Sequence, residues 1–214
     1  MLIPLTFVKR AIMKEQLYTD QYSNNVGGAK GYAGFRNRRR LQVFTQLIKV
    51  KRDDAILEIG PNTGLLLDAL KPKAKSVIGI DINKDAVQKM GRPDIVCMDA
   101  TDLNFKKESF NTVIGIEVFE HIPNLQKVFS EIERVLVSGG KCYLTVPFEL
   151  FRGQQALGDA WHVYRDLRMA RQLHVHRLNP HRIKKLIAHT QLQMIYSKLI
   201  WIPGPSYFMI LQKA

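Results

Sequence analysis

A mostly parallel seven-stranded α/β sheet, with helices on both faces and an antiparallel C-terminal hairpin, is the fold class this sequence predicts. Three observations predict it. Between residues 53 and 148, short apolar runs alternate with stretches of helical period, the pattern of strands joined by crossover helices. Successive runs end in an acid or a glycine turn. Near the C-terminus, two β-rich runs flank Pro203-Gly204-Pro205, a turn that reads as a hairpin at a sheet edge.

The elements follow in order. Residues 36–50 read as a helix, with Leu41, Phe44, Leu47 and Ile48 on one face. Residues 55–59, 76–80, 94–98, 112–116 and 141–146 read as strands, and 63–70 and 83–90 as helices between them. Residues 124–136 carry Leu125, Val128, Phe129, Ile132, Val135 and Leu136 at helical spacing, and Ser138-Gly139-Gly140 should stop that helix. Residues 149–172 have no clean period and form a long connection before a helix starting near Pro180. Connections of that length are often lids or binding loops. Residues 192–202 and 206–212 are the hairpin strands. The division expected is an N-terminal helical cap segment, 1–52, and a main domain, 53–214, in which 149–176 is a substrate-cap insertion.

The chain has 214 residues and is 46% hydrophobic, enough for one sizeable core. No apolar run approaches the roughly 20 residues of a membrane-spanning helix. The apolar start, residues 1–8, lacks a basic leader and a cleavage site, so it does not read as a signal peptide. Cys97 and Cys142 form neither a zinc pattern nor a disulfide framework. Both are expected as buried free thiols, which fits a cytoplasmic protein. The net charge of +13 is unevenly spread: residues 1–52 carry +9, 53–148 carry −3 and 149–214 carry +7. Basic flanks suit an anionic partner, such as RNA or an acidic membrane surface, and equally a solvated surface. Leu5, Val8 and Ile12 with Lys9, Arg10 and Lys14 could make a short interfacial helix, and so a peripheral membrane location, or a helix packed over the site.

The chemistry starts after the first strand. Glu58-Ile59-Gly60-Pro61-Asn62-Thr63-Gly64 places an acid at the strand end and glycines four apart in the turn. Gly60 allows close backbone approach to a ligand, and Gly64 allows tight packing at the helix start. A dinucleotide fingerprint would need glycines at 60, 62 and 65; Asn62 and Leu65 stand there instead. Asp81 ends the second strand, 21 residues after Gly60, where an acid can accept from both ribose hydroxyls. Asp99 ends the third. All would share the rim at which open parallel sheets bind ligands.

Leu-Glu-Ile-Gly-Pro-Asn-Thr-Gly, Gly-Ile-Asp, Met-Asp-Ala and Ile-Glu-Val-Phe-Glu-His-Ile-Pro, in that order, resemble class I S-adenosylmethionine-dependent methyltransferases. The nearest flavour is the broad small-molecule group with an E-V-L-E-H-type motif after the fourth strand. The resemblance spans residues 53–147 strongly and 174–190 weakly. It implies a Rossmann-like sheet and S-adenosylmethionine as cofactor. It also implies that Glu58 and the turn of Gly60, Asn62 and Gly64 hold the amino-acid end. Asp81 would grip the ribose, with Ile82 against the adenine. Asp99 would accept from the adenine amine, with Ala100 beside it, and Glu117 would line the sulfonium end. Asn62 replaces the usual middle glycine, and Asn111 the usual acid before the fourth strand.

Methyl transfer is an in-line displacement, catalysed largely by alignment; a base is needed only if the acceptor must lose a proton. His121 and His174 are the candidates. Glu117-Val118-Phe119-Glu120-His121 followed by His174 also resembles the magnesium-assisted site of small-RNA terminal-ribose methyltransferases and of some quinone O-methyltransferases. The same motif occurs in methyltransferases without metal, and no metal ligand is assigned from sequence. The absence of a D/N-P-P-Y/F motif and of a Pro-Cys pair disfavours base methylation. The arginines of 36–40 could bind phosphate or be the solvated face of a helix. The expected acceptor is a small, anionic or lipid-like molecule. The alternatives are RNA 2′-O methylation and a non-catalytic cofactor-binding module on RNA or membrane.

Overall fold

The computed structural model describes residues 31–201 and 204–214, with side chains from residue 38 onward. The readings of residues 1–20 therefore lie outside the described residues. The sheet is seven-stranded, in the order β3-β2-β1-β4-β5-β7-β6. Strands β1 (Ala55–Ile59), β2 (Ser76–Asp81), β3 (Ile95–Cys97), β4 (Phe110–Ile116) and β5 (Leu136–Pro147) are mutually parallel. The hairpin of β6 (Leu192–Trp201) and β7 (Pro205–Lys213) adds antiparallel to β5. β7 lies inside the sheet and β6 forms the edge.

Alternation along the central strands sorts side chains to two faces. On one face, Ile56, Ile114, Tyr143 and Phe208 pack with Phe44 and Ile48, at the end of and just past helix α1 (Gly31–Leu47), and with Leu66 and Leu70 of α2 (Leu65–Leu70). On the other, Leu57, Val113, Leu144 and Met209 pack with α4 (Leu125–Val135) and the last helix, α7 (Pro180–Ile187). α3 (Lys84–Met90) links β2 to β3, with Asn83 capping its start by accepting from the Ala86 N–H. The helix predicted over 124–136 ends one residue early, because Leu136 turns extended and enters the core as the first residue of β5. Gly139 and Gly140 thus sit inside β5, where pairing with β4 jumps from Phe110↔Leu136 to Thr112↔Lys141. Asn111, at that irregularity, accepts the Ala55 N–H at 2.9 Å and so fixes the start of β1 against β4.

The aperiodic connection after β5 is a series of short turns. It runs through α5 (Leu157–Asp159, continuing as a π-helical turn, Ala160–Tyr164), a 3₁₀ turn (Leu167–Met169) and α6 (Ala170–Leu173). Ala156, Ala160, Ala170 and Leu173 close into a small core of their own. Changing turn geometry every few residues is what erased a single period from the sequence. One thiol expectation is corrected. Cys142 is buried in β5, but Cys97 is exposed, because it lies on the three-residue edge strand β3.

Gly115 is the tightest point under the site. A Cβ there would collide with the edge of the Phe119 ring, itself fully buried and stacked on Phe129. Gly115→Ala should lower stability by about 1–3 kcal/mol through overpacking, read as a drop in the urea midpoint. An unchanged midpoint would mean the ring has room to move.

Candidate cofactor and acceptor site

β1 neighbours β2 on one side and β4 on the other. The crevice beyond the C-terminal ends of β1 and β4 is the topological switch point, the place where open α/β sheets bind ligands. Register aligns the rim: Glu58 lies beside Gly79 and Ile114, Ile59 beside Ile80 and Gly115, and Asp81 beside Cys97. The structure thus brings the carboxylates of β1 and β2 to one edge. Asp99 stands two residues past the end of β3, so the third strand is shorter than 94–98.

The turn after β1 is left-handed at Gly60 (φ 69°), Asn62 (φ 52°) and Gly64 (φ 79°). A Cβ on Gly60 would lie 2.8 Å from Val118 Cγ2, so this turn meets the segment after β4 with no room for a side chain. Asn tolerates the left-handed region better than most residues, which is why position 62 can lack glycine. Glu58 is buried, and its Oε2 has no hydrogen-bond partner. Burial pushes its carboxyl up to about 8, with the Arg92 charge pulling the other way. A buried, unpartnered carboxylate oxygen at a sheet rim suits a cationic ligand group.

Asp81 accepts the Asn83 N–H at 2.9 Å through Oδ1. Burial raises its carboxyl above the usual range, opposed by the N–H groups of Asn83 and Ile82. Ile82 and Asp99 are exposed and Ala100 is buried. Asp99 Oδ1 accepts the Thr101 N–H at 2.8 Å.

Beyond β4, Glu117 holds a left-handed backbone (φ 51°), a conformation that is strained for a non-glycine residue and recurs at functional sites. Its N–H donates to Thr145 Oγ1 at 3.1 Å. Its Oε2 lies 3.6 Å from Arg40 Nη2, while its Oε1 has no partner. The arginine run is thus split: Arg38 and Arg39 are exposed, whereas Arg40 turns inward. Glu120 is 1% exposed with Oε2 unpartnered, and burial, then the Glu117 charge, raise its carboxyl.

His121 and His174 come together. Their rings are 5.0 Å apart at 75°. His121 Nδ1 lies 2.7 Å from Leu173 O, an acceptor only, so Nδ1 carries the proton. Burial, followed by His174, pushes the His121 imidazole down to about 3. His174 Nδ1 donates to Glu149 Oε1 at 2.8 Å. Glu149 also accepts from Gln155 N through Oε1 and Gly153 N through Oε2. Burial raises its carboxyl, but His174 and these N–H donors outweigh it and hold it below the usual range.

Sequence reasoning missed three participants. Arg92 lies over Gly64, whose Cβ would meet its Cζ at 2.8 Å. It is held there by Asp68 (2.6 and 2.9 Å) and Asp94 (2.8 and 3.1 Å). Arg40 was hidden in a run of arginines, and Glu149 is an isolated acid after a strand. None is marked by a motif, because the contacts that bring them to the site, Arg92 to Asp68, Arg40 to Glu117 and Glu149 to His174, span at least 24 positions.

Residues 57–144 match the family model described as a methyltransferase domain. The chain is 30% identical over 115 residues to phosphatidylethanolamine N-methyltransferase of Cereibacter sphaeroides, covering 49% of this chain and 56% of that protein. It is 25% identical over 117 residues to a ubiquinone biosynthesis O-methyltransferase of Coxiella burnetii, covering 51% and 50%. The chain therefore spans about half the length of these curated relatives. An S-adenosylmethionine-dependent methyltransferase of Methanosarcina mazei has the same fold, with TM-score 0.57 at 18% identity over 80% of this chain and 96% of that one.

Proposed function

Because this chain belongs to the class I S-adenosylmethionine-dependent methyltransferases, we propose that it transfers the methyl group of that cofactor to a small, lipid-like acceptor. Glu58 takes the cofactor's ammonium and the turn of Gly60, Asn62 and Gly64 passes along its amino-acid end. Asp81 takes the ribose diol, with Ile82, Asp99 and Ala100 around the adenine. Glu117 borders the sulfonium. Arg40 supports a capping role for the segment containing α1, since it reaches Glu117 from the helix. His121 and His174 stand on the acceptor side.

The observation that carries the acceptor reading is the surface of residues 149–176. Leu150, Phe151, Trp161 and Leu167 are exposed there, among the exposed arginines Arg152, Arg165 and Arg168. The Arg165 guanidinium lies 5.8 Å over the Trp161 ring, a pairing that is amphipathic at one spot. Glu149 and His174, near the two ends of this segment, are hydrogen-bonded to each other. An apolar, cationic cap suits an acceptor with a hydrocarbon part and an anionic part. The two curated relatives carry names that refer to N-methylation of phosphatidylethanolamine and to O-methylation in ubiquinone biosynthesis, which supports a lipid-like acceptor without fixing the acceptor atom. The basic flanks and this cap also support a peripheral location at an anionic membrane surface. No helix among the described residues is long and apolar enough to cross a membrane.

The test supplies methyl-labelled S-adenosylmethionine with three acceptor pools: total lipid extract, water-soluble metabolites and total RNA. Label should partition into the organic phase with lipid extract. Label in RNA, or only in water-soluble products, would overturn the lipid-like assignment while leaving the cofactor assignment intact.

A further inference from the structure

The chain holds two tryptophans, Trp161 and Trp201, and both are exposed. Trp201, at 73%, is the most exposed large apolar side chain among the described residues. It ends the edge strand β6, opposite Pro205 of β7. Leu199, two residues earlier and so on the same face of the sheet, is exposed as well. Apolar groups gathered at one place on a surface mark where something else covers them.

The outer end of the hairpin also stands at the mouth of the crevice. Register places Ile116, Thr145, Phe208 and Lys198 in one row across β4, β5, β7 and β6. β6 runs in the same direction as β4, because β7 is antiparallel to both β5 and β6. Trp201 therefore stands three residues beyond that row, about 10 Å past it at the usual rise per residue. Glu117 leaves β4 on the same side. The insertion is tied to the hairpin there. Gln155 Nε2 donates to Pro205 O at 2.7 Å and to Phe148 O at 2.9 Å, and the Phe148 N–H donates to Pro205 O at 2.9 Å. Exposed Leu150 and Phe151 follow Phe148 within three residues.

We propose that the outer end of the β6–β7 hairpin, led by Trp201 and Leu199, is a docking surface for an anionic lipid bilayer and sets the crevice mouth against the headgroups. Its role rests on the lipid-like acceptor reading, since it says how such an acceptor reaches the site. Tryptophan suits this boundary, with an apolar ring for the acyl region and an N–H for the headgroups. The projection of Trp201 matches the roughly 5–10 Å to which interfacial elements sink. Charge selects the partner. Lys198 on the strand and Arg152, Arg165 and Arg171 on the insertion are exposed, and residues 149–214 carry +7. Cations around an apolar tip favour anionic headgroups. A second copy would bring the same positive charge to this edge, which opposes self-pairing. The register shift between Met194 and Tyr196 also blunts β6 against strand addition.

The experiment follows tryptophan emission of the full chain carrying Trp161→Phe, in which Trp201 is the only tryptophan left. Vesicles of equal phosphatidylglycerol and phosphatidylcholine should shift its emission to the blue, and bromine on the acyl chains should quench it. Pure phosphatidylcholine vesicles should do neither, and added salt should weaken the effect. Trp201→Ser in the otherwise unchanged chain should weaken binding to the anionic vesicles about tenfold, through the loss of one buried apolar side chain. Both substitutions are at exposed positions, where changes leave folding nearly untouched. Unshifted Trp201 emission, equal binding to pure phosphatidylcholine, or full binding in Trp201→Ser would each overturn the proposal. So would a blue shift produced by RNA, or by raised protein concentration, in place of vesicles. Methyl transfer to lipid extract dispersed in detergent needs no bilayer. Label there without vesicle binding would overturn the docking surface alone. Vesicle docking through Trp201 without lipid labelling would support the surface and overturn the lipid-like acceptor.

Discussion

Asp81→Ala should weaken S-adenosylhomocysteine binding by about a hundredfold. The expected ligand contact is a pair of charge-assisted hydrogen bonds to a ribose diol, each contributing about 1.5–3 kcal/mol; losing roughly 3 kcal/mol corresponds to that factor. The carboxyl sits at the end of β2 with its ionised form disfavoured by burial, so it gains from donors a ligand can bring. Asp81 has a structural duty too, since Oδ1 accepts the Asn83 N–H at the start of α3. Asp81→Asn separates the two: its carbonyl oxygen can still accept from Asn83, while the charge is gone. The asparagine variant should therefore keep the thermal midpoint yet lose at least tenfold in affinity by calorimetry. Full affinity in both variants would remove Asp81 from the ribose.

Glu58 should make stability and cofactor binding depend on pH in opposite ways. Burial raises its folded value from 4.5 to about 8. Between those values the folded chain keeps a proton that the unfolded chain has released. Stability of the ligand-free protein should then fall as pH rises through that window, at up to about 1.4 kcal/mol per pH unit from this group, and level off above pH 8. Glu58→Gln should flatten that part of the profile and be the more stable form at pH 8. A cationic ammonium paired with Glu58 reverses the preference, because it favours the ionised carboxylate. Cofactor binding at pH 7 should release about one proton, measured as a dependence of the calorimetric heat on the buffer's ionisation enthalpy. Glu58→Gln should bind more weakly with no such release. A wild-type heat that is the same in every buffer would remove Glu58 from the ammonium.

How much of this was legible in the sequence depends on how local each feature is. The alternation of strands with helices and the closing hairpin follow from apolar period and Pro203-Gly204-Pro205, whereas the order of the strands in the sheet is set by long-range pairing. The rim is legible because Glu58 and Asp81 fall in the last two residues of β1 and β2 and Asp99 two residues past β3, so reading the strands places the acids. The glycine turn is equally local. What the sequence hides is what other elements bring to that turn. Arg92 covers Gly64 from the loop before β3, and Arg40 reaches Glu117 from α1. Arg40 looks like its neighbours Arg38 and Arg39 until α1 is docked, when one helical face turns in and the other stays wet. Cys97 was misjudged for a related reason: an apolar run indicates a strand, while exposure depends on whether a neighbour flanks it, and β3 is an edge.

The position of β7 has a consequence for how the chain reaches this state. β5 is hydrogen-bonded on one side to β4 and on the other to β7, about 70 residues further along, with Cys142 opposite Leu211. During synthesis or refolding, β1 to β5 can assemble before β7 is available. In that interval β5 presents an open, strongly apolar edge, including Tyr143, Leu144 and Val146. Unpaired edges of this kind recruit other chains. Long-range closure of this sort is also slow, because the loop must be ordered before the pairing rewards it. The hairpin is thus a late-arriving seal, and weakening it should show first as aggregation during refolding and lower yield, before any change in the cofactor rim on the far side of β5.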